Sequence, residues 1–203
     1  MPRRVKRQPR LPRNALLLFL LGVATVVLLF GLRRGGPAPA DAPGPAAAEA
    51  RWMPAEKSDR WKCIVIHHSA GEAGGADRFD ELHRDKGWDE LGYHFVIGNG
   101  SDTADGQVEV GSRWAAQKHG AHCKTKNEYY NNHGIGICLV GNFELHPPAE
   151  RQLQSLRRLV AFLSREFGIP PERVYTHGGV TRQTHCPGKH FDLAALRKSL
   201  PRR

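Results

Sequence analysis

No segment of this 203-residue chain repeats another at a fixed period, which excludes solenoids, propellers and similar arrays. Cysteine is scarce: Cys63, Cys123, Cys138 and Cys186 would allow at most two disulfides in an exported domain. No cysteine closely follows the apolar run at 15–32, which argues against a lipoprotein anchor. The main body also lacks a strong charge. Of the net +10, residues 1–57 hold +7, from ten Lys/Arg against three acids, leaving +3 for the rest. The basic excess is a flank, and the folded part gives no case for a nucleic-acid partner. Histidine is absent before residue 67, and all eleven follow, an enrichment that suits metal binding or proton transfer.

Length allows one ordinary domain with appendages. Residues 1–14 carry six cations, and residues 15–32 carry no charge at all. Eighteen helical residues would rise about 27 Å, close to a bilayer's hydrocarbon core. With only Arg33 and Arg34 beyond the span, the charge bias puts the N-terminus inside and the remainder outside. The expected organisation is a basic cytoplasmic tail (1–14), a transmembrane signal anchor (15–32), a Pro/Ala/Gly-rich tether (33–57) and a catalytic domain (58–203). The competing reading is a cleaved signal peptide, with Pro37-Ala-Pro-Ala40 as the cleavage region and a secreted product.

Beyond Trp61 the patterning predicts an α/β domain. Strands are expected at 62–67, 92–97, 107–110, 135–140 and 174–175, with a helix at 77–86 and a polar loop at 113–134. After Pro147-Pro148, Leu153, Leu156, Val160, Leu163 and Phe167 step by three and four along one helical face, and Gly168 ends that helix. Asp192 is placed to cap the last helix, with Phe191 and Leu196 as its hydrophobic staple. Strands follow one another at 107–140 with no helix between them, so the sheet is expected to be mixed and covered by helices.

Three residues near strand ends carry the chemistry. His67 ends one apolar strand, His177 follows another, and Cys186 stands before Pro187-Gly188, where proline stiffens the backbone and glycine permits a tight turn. Two imidazoles and a thiolate leave the fourth vertex of a zinc ion open, the catalytic form of that metal. His67 and His68 are adjacent on a strand and point to opposite faces, so only one can ligate.

His67-His-Ser-Ala70, Leu91-Gly-Tyr-His-Phe-Val96, Gly120-Ala-His122, Tyr130-Asn131, Ile135 through Asn142 and Thr184-His-Cys-Pro-Gly188 occur in one consistent order over about residues 60–200. Together they resemble the type-2 N-acetylmuramoyl-L-alanine amidases, a family that includes phage lysozyme amidases and peptidoglycan recognition proteins. The resemblance implies a zinc enzyme that cuts the amide between N-acetylmuramic acid and L-alanine in peptidoglycan or a muropeptide. It implies His67, rather than His68, as a ligand beside His177 and Cys186. It makes Tyr93 the catalytic tyrosine and assigns Thr184 to a position that holds Lys or Thr in the family. A monomer acting on the periplasmic or cell-wall side of a membrane is expected.

Three departures from the family's pattern stand out. One extra residue lies between His177 and Cys186, so that loop should bulge. Cys138 occupies the place where one branch carries a glutamate, and His133 replaces a common asparagine. His119 and His122 are candidates to line the groove or to donate to glycan, whereas His94 is expected in the core. Two other functions compete: a recognition module that binds muropeptides without cutting them, and a cysteine hydrolase using Cys186 with His177 as base.

Overall fold

The computed structural model describes residues 45–201, so the expected tail, the apolar span and the first part of the tether lie outside the described residues. Among the described residues no helix is long and apolar enough to cross a membrane.

The frame is a five-stranded sheet in the order β3-β2-β4-β1-β5. Its strands are β1 (Cys63–His68), β2 (Phe95–Ile97), β3 (Val108–Val110), β4 (Gly134–Leu139) and β5 (Val174–Thr176). The β1–β4, β1–β5 and β2–β4 pairs are parallel, and β3 adds an antiparallel edge on β2. The mixed sheet is therefore as expected, and the reason is chain length. A single turn region joins β2 to β3, whereas each parallel pair needs a long crossover.

Alternation along the strands sorts side chains to two faces. Ile64 and Ile66 of β1, Phe95 and Ile97 of β2 and Ile135, Ile137 and Leu139 of β4 join Leu156, Leu159, Val160 and Leu163 in the main core. Those last four belong to the helix Glu150–Phe167, which Gly168 ends in the left-handed conformation at φ 65°. The buried face is shifted slightly from the expected stripe: Leu153 is only half-buried, while Leu159 is fully covered. Gln152 is buried too, because its amide donates to the carbonyls of Val140 and Ile97 at 2.9 and 3.3 Å. It gives the Val140 carbonyl a partner and adds a second donor to the Ile97 carbonyl, which already accepts from Val140 N–H at 3.0 Å. The opposite face carries Val96, Cys138 and Val140, packed with Phe79 of the helix Ala76–Asp85.

Two expectations need correction. The tether predicted to run through residue 57 gives way at Pro45 to a helix, Pro45–Trp52. Its alanine-rich run favours helix, and Trp52 is buried edge-on against Phe162 at 5.6 Å, accepting through its carbonyl from the Trp114 indole at 2.7 Å. The segment 113–134, predicted as a polar loop, contains the short helices Ser112–Ala115 and Tyr129–His133 and turns inward. Buried Arg113 holds it there, donating to Leu91 O at 2.7 Å and His119 O at 2.9 Å and pairing with Asp89. A charge this deeply buried persists only because every donor group finds an acceptor.

Candidate metal centre

His67 lies near the C-terminal end of β1, on the face opposite Ile64 and Ile66. His177 opens the five-residue helix His177–Thr181 directly after β5, and Thr176 caps it by accepting from Gly179 N. Cys186 follows in the next loop, where Gly178 N–H donates to Cys186 O at 2.7 Å. Parallel strands β1 and β5 thus deliver two of the three groups to one end of the sheet, and the return loop brings the third. The ligand atoms of His67, His177 and Cys186 all lie within 4.8 Å of one another. Cys186 Sγ is 4.0 Å from His67 Nδ1, and the two imidazole rings are 4.6 Å apart.

That spacing fits a zinc ion. Tetrahedral nitrogen and sulfur ligands sit roughly 3.3–3.6 Å apart around it, a small inward rotation from the distances here. The protonation states agree on the nitrogen side. Burial, reinforced by the neighbouring His122 and His177 rings, holds His67 well below its ordinary pKa, and burial lowers His177 as well. Both imidazoles are neutral and able to ligate. Burial pushes the Cys186 thiol up to about 11, against the pull of the His68 N–H, which donates to the sulfur at 3.4 Å. A thiol so placed is a poor nucleophile at neutral pH by itself, which weighs against the cysteine-hydrolase reading.

Of the adjacent histidines only His67 joins the cluster. His68 turns away and accepts from Phe143 N–H through Nδ1 at 3.1 Å. Gly188 sits at φ 109°, and a Cβ there would fall 2.3 Å from the Phe143 carbonyl carbon. Tyr93 packs its ring 5.2 Å from that of His67, and burial beside Cys138 and Cys186 raises its phenol well above the usual value. Thr184 is exposed, and its hydroxyl accepts from Cys186 N–H at 3.1 Å, so it braces the ligand loop. The stretch between His177 and Cys186 begins with the short helix, which closes at Arg182 in the left-handed conformation. All four cysteines are free and buried, Cys123 among them. His133 joins its ring nitrogen to Arg60 O at 3.1 Å. His94 is core, as expected, packed edge-on against Trp61.

A cavity of about 510 Å³ opens beside the cluster, lined among others by Trp88, His122, Lys124, Glu128, His177 and Thr184. His119 is exposed and solvated rather than part of it. His122 does line the cavity, as expected, but it is also buried, and its Nδ1 lies 3.0 Å from His67 Nε2.

Residues 57–189 match the family model described as N-acetylmuramoyl-L-alanine amidase. The chain belongs to that family. This amidase-family chain is 32% identical over 148 residues to the endolysin of Enterobacteria phage T3, covering 65% of this chain and 82% of that protein. It is 29% identical over 136 residues to peptidoglycan-recognition protein LB of Drosophila melanogaster, covering 62% of this chain and 53% of that one. Among solved structures, it resembles the endolysin amidase LysCS of Clostridium intestinale, with a TM-score of 0.59 and 28% identity over 72% of this chain and 89% of that chain.

Proposed function

We propose that the chain hydrolyses the amide between N-acetylmuramic acid and L-alanine in peptidoglycan, using zinc held by His67, His177 and Cys186. The convergence of these three donors within 4.8 Å, with His177 lining an adjoining cavity of about 510 Å³, is the observation that carries the reading. When bound there, zinc supplies Lewis acidity toward an amide carbonyl and brings the pKa of water near neutrality. The chain's own residues do the rest. Tyr93, beside His67, offers its phenol to the oxygen that gains charge as the amide is attacked, and its raised pKa keeps that proton available. Thr184 holds the backbone N–H of Cys186 and so fixes the sulfur's approach. Trp88 presents a 41% exposed indole at the cavity rim, which screens one side of the site from water.

Residues 15–32 would hold the domain on the wall side of a membrane, where this substrate lies, or be removed on secretion. The intact Cys186 favours catalysis over a recognition module, which needs no third ligand. Digestion of purified sacculi, followed by identification of the new termini, tests the reading. Free L-alanine amino termini that vanish with chelator and return with zinc are the expected result. Muropeptide binding without release of stem peptides would instead establish the recognition role.

A further inference from the structure

We infer that His122 is a positioning residue that sets the tautomer of His67, so that His67 turns a bare Nδ1 toward the ligand cluster. The inference rests on the zinc reading above. His122 Nε2 lies 3.2 Å from the backbone carbonyl of Gly134, which can only accept. Nε2 of His122 therefore carries the proton, and Nδ1 of the same neutral ring carries the lone pair. His67 Nε2, 3.0 Å from that lone pair, must donate to it. One proton is then left on His67, on Nε2, and its Nδ1 is bare. This is the nitrogen 4.0 Å from Cys186 Sγ. A carbonyl, two rings and two protons thus decide which atom of His67 can ligate, the task that outer partners of metal-bound histidines perform.

The surroundings are shaped for this ring. A Cβ at Gly136 would stand 2.4 Å from His122 Cδ2, and one at Gly120 would stand 2.3 Å from the same atom. Two glycines, one in β4 and one in the preceding loop, clear the space the imidazole fills. Asn131 fixes the backbone beneath it, its side-chain oxygen accepting from His122 N–H at 2.9 Å and Cys123 N–H at 2.8 Å. Asn131 is itself anchored through its amide nitrogen to Glu128 at 2.7 Å.

Two measurements on the full chain decide the matter. In the metal-free protein at neutral pH, long-range proton–nitrogen NMR should show the Nε2–H tautomer at both His67 and His122. An Nδ1–H tautomer at His67 would overturn the inference. Zinc titration against a competing chelator should show affinity reduced about 10- to 100-fold in His122→Met, which fills the space but cannot accept. His122→Gln, with an amide able to accept at one end and donate at the other, should recover most of that loss, and it keeps the test alive if the Met variant does not fold. Folded His122→Met with zinc affinity within twofold of the unaltered chain would end the relay while leaving the zinc reading intact. An unaltered chain that binds no zinc would remove both.

Discussion

At the scale of the residue, the three candidate ligands are not interchangeable. Cys186→Ala should lose retained zinc and amide hydrolysis together, checked by elemental analysis of the purified protein beside stem-peptide release. Hydrolysis at the original rate without metal would show that Cys186 has been misassigned. Tyr93→Phe removes one hydroxyl and leaves the ring against His67. It should lower turnover about 10²- to 10³-fold, the usual loss for a donor to a developing oxyanion, with zinc content unchanged. The phenol and the thiol are separable for a geometric reason: Cys186 faces His67 Nδ1, whereas Tyr93 meets His67 only ring against ring at 5.2 Å.

At the scale of the element, the ligand loop depends on a backbone conformation that side chains resist. Gly188→Ala places a Cβ at φ 109° against the backbone of Phe143. It should cost at least about 2 kcal/mol and weaken zinc binding, since Cys186 lies only two residues away. Thermal denaturation and chelator competition would measure the two effects separately. The last helix, Leu193–Lys198, gives a contrasting case. Asp192 caps it by accepting from Ala195 N–H at 2.8 Å, far from the cluster in function. Asp192→Ala should cost about 1 kcal/mol with zinc affinity untouched, and a change in affinity would show that this helix supports the site. Most of these elements could be read from the order of residues, because their signals are local: strand alternation, a stripe at helical spacing, a glycine stop. The inward turn of 113–134 could not. Its polar composition describes a solvated loop, and only the long-range tie from Arg113 to Leu91, Asp89 and His119 reverses that expectation.

At the scale of the whole molecule, the buried imidazoles couple stability to pH. His122 is held down to about 4 by burial, and His67 and His94, which face it, are lowered further in the same direction. The Gly134 carbonyl offsets the lowering only in part, and His177 and Arg113 push in the same direction as burial. In the unfolded chain such rings protonate near 6.5, so between about 6.5 and 4 the unfolded state binds more protons. Stability is therefore fully present above pH 6.5 and falls as pH drops toward 4, by about 3 kcal/mol for His122 alone. Urea titrations of the metal-free chain at pH 7.5 and 5 should show about 2 kcal/mol of this loss from His122, and equal midpoints would contradict the buried, neutral assignment. Added zinc should deepen the pH dependence, since protons compete with the metal for the same nitrogens.

The sequence by itself named the family, the mixed α/β architecture and the donors worth testing, because each rests on residue type and short-range order. A histidine at the end of an apolar strand, and a cysteine stiffened by Pro187 beside Gly188, are legible before any chain has folded. Tertiary structure alone decided that Pro45–Trp52 packs as a helix on the core, and that Thr184 braces a loop. It also decided that His122, 55 residues from His67 along the chain, shares a proton with it. Composition cannot reveal such a contact. It exists only where parallel strands β1 and β4 lie side by side and Gly136 leaves the space of a missing side chain for an imidazole to enter.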